Sequence, residues 1–589
     1  MKKILTIGSL LALTVLFPGT SHGQFPGTRG LFLASTGPKS AYSKSFWWEL
    51  NAKQLDLYLN RLQKAGINEL YPCAYGHGNY FFKTTHAAFP KGVIPERLGT
   101  DPLASLIREA HQRDMRVVPF FPFLVAGGEI YVKQAAGGTL PNPAWYCLDT
   151  NGNRGSTLSF DPANPDVRDY LNRVVEDLLD YEIDGLMLDY IRYLGTHMGY
   201  TPLARAAFKD ETGVDPLELY SRPETFSSNI VYCLKPDTWA GKDWYLSSLL
   251  GLLNQINAPF KVVPQVADIF STVLAGGTIL IASYYDIAAE TIQKLNAFVK
   301  DGGNVIFLDA PTTAMKKHTD ALGPVLGMTS RSRYAAPQQR NLQIEEEHAI
   351  TQGMVGGTLT CSANSLTEID PATAKVLARF ENGTPAVILN AYGKGRATIL
   401  NFQMLVKYDG APGVDLLRNT VRWLLAGRSG EQGSLKLAKL NAAWTRWRCK
   451  QVTDVVKTVR DTMEARRPNA ILSAATTPRE AHVNLVFQDW KTWIRREYVD
   501  AVYPMDYFGN ANELREALAW QCAGIPKSRI VPILALYRRE GKEVLPITPE
   551  TLTTQLNLVR DFGFAGVSMF SGMRLSPELE GTLTARTGE

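Results

Sequence analysis

The sequence predicts an α/β protein: a (β/α)8 TIM-type barrel of parallel strands, interrupted midway by a second α/β unit. Three observations predict it. Short apolar runs alternate with amphipathic helical stretches four times before residue 190, and four times more after residue 444. Such alternation wraps crossover helices around a parallel sheet, and eight units close a ring. Between the halves, about 210 residues keep an α/β rhythm of their own, which an autonomous insertion in a βα loop explains economically.

The apolar runs that read as barrel strands are residues 29–34, 67–72, 116–121 and 184–188, then 470–475, 499–504, 529–535 and 565–570. Helical patterns over 54–65, 102–113 and 166–181 separate the first four, and a long one over 444–466 precedes the fifth. In the insert, 277–283 and 304–308 read as strands flanking a helix over 288–300. A hairpin turns at Gly393-Lys394-Gly395, and a helix closes the unit over 415–426. The expected organisation is a leader over 1–23, a first half-barrel over 24–221, the insert over 222–431 and a second half-barrel over 432–589.

The chain has 589 residues, 45% hydrophobic and 20% charged, a globular profile that excludes disorder and fibrous classes. Lys2-Lys3, an apolar stretch over 4–17, the Pro18-Gly19 break and small residues before Gln24 form a secretory signal, with cleavage expected near Gly23/Gln24. A secreted or periplasmic protein with no membrane anchor after cleavage follows. Removing Lys2 and Lys3 takes the net charge from +5 to +3, too weak a balance to imply nucleic acid as a partner. The six cysteines are scattered without zinc-ligand spacing, and neither a metal site nor a dinucleotide or phosphate loop is expected. No cofactor is called for.

In a barrel of this kind, polar residues at the C-terminal ends of strands carry the chemistry. The fourth run ends in Asp189 and the sixth in Asp506, so two carboxylates are expected to project into one mouth. Glycoside hydrolysis needs such a pair: one acid to protonate the leaving oxygen, the other as nucleophile or base. The favoured scheme makes Asp189 nucleophile or base and Asp506 general acid, with the roles exchangeable. A separation of about 5 Å would mean retention, and about 6.5–9.5 Å inversion. Arg192 is expected to orient the ionised partner. Sugar rings stack their C–H faces on aromatics, which nominates Tyr80, Trp145, Tyr193 and Tyr507. His77, Asn79 and Glu480 are candidate hydroxyl contacts. The other reading of the same residues is a carbohydrate-binding barrel without turnover, since a barrel does not guarantee catalysis.

Arg29 to Phe32, Ala110 to Arg113, Asp161 to Pro165, Asp184 to Tyr193, Trp444 to Arg448, Gln488-Asp489-Trp490 and Pro504 to Tyr507 occur in an order that resembles the glycosyl hydrolase-like 10 family. The resemblance covers both barrel halves and implies a hydrolase of the cell envelope or of extracellular glycans, peptidoglycan strands among them. Many relatives carry a second acid directly after the position of Asp189; here Tyr190 stands there. The stretch 279–311 resembles the glutamine amidotransferase-like, flavodoxin-like domain that serves as a trimerisation module in some β-galactosidases. That implies an insert that either forms a homo-oligomer or shapes one wall of the cleft. Neither strand-to-helix elbow of the stretch offers a thiol, so the insert is expected to be catalytically silent.

Overall fold

The computed structural model describes residues 27–34, 45–219, 431–540, 543–564 and 566–586 of the barrel. Within the insert it describes 231–234, 252–253, 256, 258, 260–263, 277–282, 289–308, 322–334, 339–354, 357–360, 366–402 and 411–426. The expected leader and the insert's two elbows, 283–288 and 309–320, lie outside the described residues.

Eight parallel strands form the first sheet. They are β1 (Thr28–Leu33), β2 (Glu69–Pro72), β3 (Arg116–Val117 and Phe120–Pro122), β4 (Gly185–Asp189), β5 (Ile471–Thr476), β6 (Ala501–Asp506), β7 (Ile533–Ala535) and β8 (Gly566–Phe570). β1 pairs with β2 and β8, and β8, β7, β6, β5 and β4 follow in turn. β3 closes the ring: its first part pairs with β2 and its second with β4. Between the two parts, the Val118 amide donates to Leu70 O and Pro119 O accepts from the Met187 amide, so the ladder continues through a proline that lacks a donor.

Helix starts are written in the sequence. Asp101-Pro102, Asn164-Pro165, Thr201-Pro202, Thr548-Pro549 and Ser576-Pro577 each pair a capping side chain that accepts a first-turn amide with a proline at the first helical position. The Asp161–Pro165 segment has a further tie: buried Asp161 accepts from the Ala163 amide and from Thr201 Oγ1, joining two helix starts. His111 is structural, its Nε2 2.9 Å from Asp184, whose carboxylate also takes the Val117 amide.

Strand pleating sorts the side chains. Phe32, Tyr71, Cys73, Val118, Phe120, Met187, Ala475, Ala501, Tyr503, Val531 and Ile533 fill the barrel interior, while their strand neighbours, such as Leu70, Leu186, Leu188 and Val502, pack under the helices. Gly30 faces Tyr71, whose ring would stand 2.3 Å from any Cβ placed there. Low in the interior, Glu69 is wholly buried; it accepts from Tyr71 Oη at 2.6 Å and Tyr503 Oη at 3.1 Å and pairs with Arg116.

The insert has its own sheet and core. Its parallel strands run in the order Phe260–Val263, Val231–Leu234, Thr278–Ala282, Asn304–Leu308, Gly395–Leu400, the second-first-third-fourth-fifth order of a flavodoxin-like sheet. Antiparallel strands extend one edge, beginning with Pro385–Tyr392, which forms the expected hairpin with Gly395–Leu400. Helix Glu431–Arg466 joins the two units: Leu440, Trp444 and Trp447 belong to the insert's core, and Val452 to Met463 to the barrel's. Helix Pro202–Thr212, counted with the barrel in the sequence reading, contributes Ala204 and Phe208 to the insert's core. Cys73, Cys147, Cys233, Cys449 and Cys522 are free thiols, and Cys361 lies outside the described residues. Among the described residues, no helix is long and apolar enough to cross a membrane, and no cluster of metal-binding side chains occurs.

Burial raises the Glu69 carboxyl above its ordinary range, with Arg116 opposing. A raised folded value stabilises below the ordinary carboxylate pKa and loses that contribution as pH rises through it. Arg116→Met, which strips the counter-charge, is therefore expected to cost about 3–5 kcal/mol at pH 7 and distinctly less near about pH 5, by urea denaturation.

Candidate active site

Asp189 ends β4 with the same inward parity as Met187 and so faces the C-terminal mouth of the barrel, half-buried. Its main chain is anchored by the Phe123 amide, which donates to Asp189 O at 2.7 Å, and its Oδ1 accepts from the Tyr190 amide at 2.7 Å. Tyr190 then adopts φ 46°, a left-handed conformation costing a non-glycine residue about 1–2 kcal/mol. This turn brings the Arg192 amide to Tyr190 O at 2.8 Å and the guanidinium over the Tyr190 ring, 4.6 Å from its centre. Arg192 Nη1 is buried with no hydrogen-bond partner among the described residues. The recessed position raises the Asp189 pKa; the Arg192 charge and the Tyr190 amide oppose the rise.

Aromatic rings build the wall beside this carboxylate. Tyr507 stacks on Phe570 at 5.5 Å, and Tyr537 lies 6.3 and 6.4 Å from the two rings. Crowding raises the Tyr507 phenol, and the Asp189 charge raises it further. Tyr190 and Tyr507 keep 38% and 37% of their surfaces open, so both present rings to whatever enters.

Asp506 does not join Asp189. On β6 the inward positions are Ala501, Tyr503 and Met505, so Asp506 has the outward parity of Val502 and lies under helix Ala511–Cys522. It is fully buried, and its Oδ1 accepts from Gln521 Nε2 at 2.7 Å. Burial raises its carboxyl well above the ordinary range, with the Gln521 hydrogen bond and the Arg479 charge opposing. The expected convergence of two strand-end carboxylates fails because the residue after Met505 points away from the mouth; Tyr507 is the next side chain to face it.

Several proposed sugar contacts are also placed elsewhere. Tyr193 is buried in the barrel's helix-side core, edge-on to Phe487 at 5.5 Å. Tyr80 is wholly buried with its hydroxyl bonded to Tyr170, and Trp145 stacks on Tyr170 at 4.8 Å. Both fill loop cores. His77 is exposed on the hairpin after β2, where its Nδ1 accepts from the Gly128 amide and its ring meets Tyr131 edge-on at 5.3 Å. Asn79 donates to Gly76 O and His77 O, so its amide nitrogen holds the hairpin. Glu480 opens helix Glu480–Val486, and its side chain lies outside the described residues.

Tyr537 and Phe570 were missed by sequence reasoning, although each is the inward residue just past or at a strand end. Gln488 is a second omission. Fully buried, it accepts from the Thr477 amide at 2.8 Å and donates to Ala475 O at 3.1 Å and Ile191 O at 3.4 Å. One side chain thus ties the end of β5 to the turn carrying Asp189 and Arg192.

A closed parallel barrel with a recessed carboxylate and an aromatic wall at its C-terminal mouth defines a glycoside hydrolase-like fold. The chain belongs to the glycosyl hydrolase-like 10 family, whose model matches residues 28–284 and 424–537. The β-galactosidase trimerisation domain matches residues 252–423, within the insert. The glycoside hydrolase domain of PgaB (BpsB) from Bordetella bronchiseptica is 11% identical, covering 95% of this chain and 98% of that one at a TM-score of 0.41. A β-galactosidase from Bacillus circulans sp. alkalophilus is 12% identical, covering 63% and 71% at a TM-score of 0.29. An S-layer-related protein of Niallia circulans is 26% identical over 102 residues, 17% of this chain and 6% of that relative's length.

The raised Asp506 carboxyl has a stability signature. Its contribution is present below the ordinary carboxylate pKa of 3.8 and is lost as pH rises through the raised value. Asp506→Asn, which keeps an acceptor for Gln521, is expected to gain stability relative to the parent as pH increases, read from melting curves between about pH 5 and 9. Gln488→Leu, which leaves three buried backbone groups short of a partner, is expected to lose about 3 kcal/mol or more in the same assay.

Proposed function

We propose that this protein is an exported glycoside hydrolase acting on an envelope or extracellular glycan, with Asp189 as the proton donor to the leaving glycosidic oxygen. One observation carries the reading: of the residues that end the eight strands, Asp189 is the acid turned inward, and its recessed setting favours the protonated form that a general acid needs. Once the proton has left, the Arg192 charge stabilises the carboxylate. Tyr190, Tyr507, Tyr537 and Phe570 supply faces for the C–H sides of sugar rings. The insert's kinship with a trimerisation domain supports a homo-oligomer.

A second reading, glycan binding without turnover, is favoured by the outward position of Asp506, which leaves one inward carboxylate at the described strand ends. Reducing-end release from purified peptidoglycan and a polysaccharide panel separates the two. Hydrolysis by the parent is expected to fall at least about 100-fold in Asp189→Asn with the melting curve unchanged, while Asp506→Asn keeps turnover within about threefold. Full turnover by Asp189→Asn would overturn the assignment. Because Arg192 lowers the Asp189 pKa, Arg192→Met is expected to move the alkaline limb of kcat/KM to higher pH.

A further inference from the structure

A groove of 770 Å³ lies on the flank of the barrel, outside the ring of strands, and shares no lining residue with the mouth. One wall is the middle of helix Glu431–Arg466, which contributes Arg446, Lys450 and Asp454; the other is helix Trp490–Arg495 with the residue after it, contributing Lys491, Arg495 and Arg496. The lining therefore carries five cations against two carboxylates, Asp454 and Asp489. Both carboxylates are engaged within the groove: Asp454 accepts from Lys450 Nζ at 2.6 Å and Asp489 from Thr492 Oγ1 at 2.7 Å. Lys491 is fixed, donating to Trp520 O at 2.7 Å with its ammonium 4.1 Å above the Trp520 ring.

Arg446, Arg495 and Arg496 differ from the exposed arginines that neighbouring carboxylates neutralise, and unlike the scattered unpaired Arg97, Arg154, Arg422 and Arg515 they line one concavity. Arg61 pairs with Glu580, Arg108 with Glu109, Arg173 with Asp169 and Arg466 with Asp180. The three groove guanidiniums are exposed and have no ion-pair or hydrogen-bond partner among the described residues. In a chain of net charge +5, three unpaired guanidiniums around one concavity concentrate positive potential there. Each offers the planar fork that takes a carboxylate through two hydrogen bonds.

We propose that this groove binds a polysaccharide strand bearing carboxylates, at a site separate from the mouth. The choice of a glycan rests on the hydrolase reading above. The lining holds two aromatic rings, Tyr498 and Trp520, and Lys491 covers the second, which argues independently against single-stranded nucleic acid, a ligand that uses successive open aromatic faces.

The test uses the full chain with polygalacturonate as the acidic probe, neutral dextran as its control and a single-stranded oligonucleotide as the competing polyanion. Polygalacturonate is expected to bind with an affinity that falls as salt rises, and dextran to show no such binding. The triple variant Arg446→Gln, Arg495→Gln, Arg496→Gln is expected to bind the acidic probe at least about tenfold more weakly with an unchanged melting curve. The control pair Arg108→Gln, Arg173→Gln keeps parental affinity. Asp189→Asn also keeps it, so loss of hydrolysis and loss of groove binding are told apart. Parental binding by the triple variant overturns the proposal, as does an oligonucleotide that binds through the same three arginines as tightly as polygalacturonate.

Discussion

The pleat of a closed parallel barrel is the constraint from which the rest of this structure follows. In a ring of eight strands every side chain points either into the interior or under the helices, with a period of two. That rule fills the interior with Phe32, Tyr71, Phe120, Met187 and Tyr503 and sends Leu70, Leu186 and Val502 to the helix layer. It also decides the chemistry. Asp189 and Asp506 both end strands, yet one continues the inward series and the other the outward one. The first becomes a mouth carboxylate and the second a buried acid hydrogen-bonded to Gln521.

Interrupting such a ring between its fourth and fifth strands puts the mouth at risk, because β4 and β5 must pair across a large excursion of chain. Two devices hold the seam. Helix Glu431–Arg466 runs through both hydrophobic cores as one rigid rod, so the returning chain arrives at a fixed angle. From it, buried Arg448 donates to Thr196 O at 2.7 Å and Met198 O at 3.0 Å and lies 3.7 Å over the Phe487 ring, clamping the segment that leaves β4 to the one that follows β5. Gln488 completes the seam at the level of the strand ends. The Asp184–Tyr193 and Gln488–Trp490 motifs, far apart in sequence, are therefore two sides of one joint.

Much of the fold was legible because its signals are local. The cap-proline pairs at Asn164-Pro165 and Thr548-Pro549 mark helix starts, the apolar runs mark strands, and their number gives the ring. Less of the site was legible. That Asp506 ends a strand is visible in the sequence, and its parity could be counted from Tyr503, but only once the inward residue of β6 is known. Tyr80 and Trp145 have the composition of a sugar platform, yet their loops fold into small aromatic cores around Tyr170, which sequence distance conceals. Tyr537 follows β7 and Phe570 ends β8, and only ring closure brings them to Tyr507.

The turn after β4 shows how one residue reshapes the mouth. A second acid following Asp189 would place like charges on adjacent residues and raise one pKa by repulsion. Tyr190 replaces that effect with a different one. Its left-handed backbone folds the chain back so that Arg192, two residues on, stacks over its ring and confronts Asp189 with a positive charge. Arg192 lowers the carboxyl while burial raises it, and burial is the larger influence, so the acid stays poised above its ordinary value with a counter-ion already in place. Strain at a single φ angle thus sets the electrostatics around the one inward acid at the described strand ends.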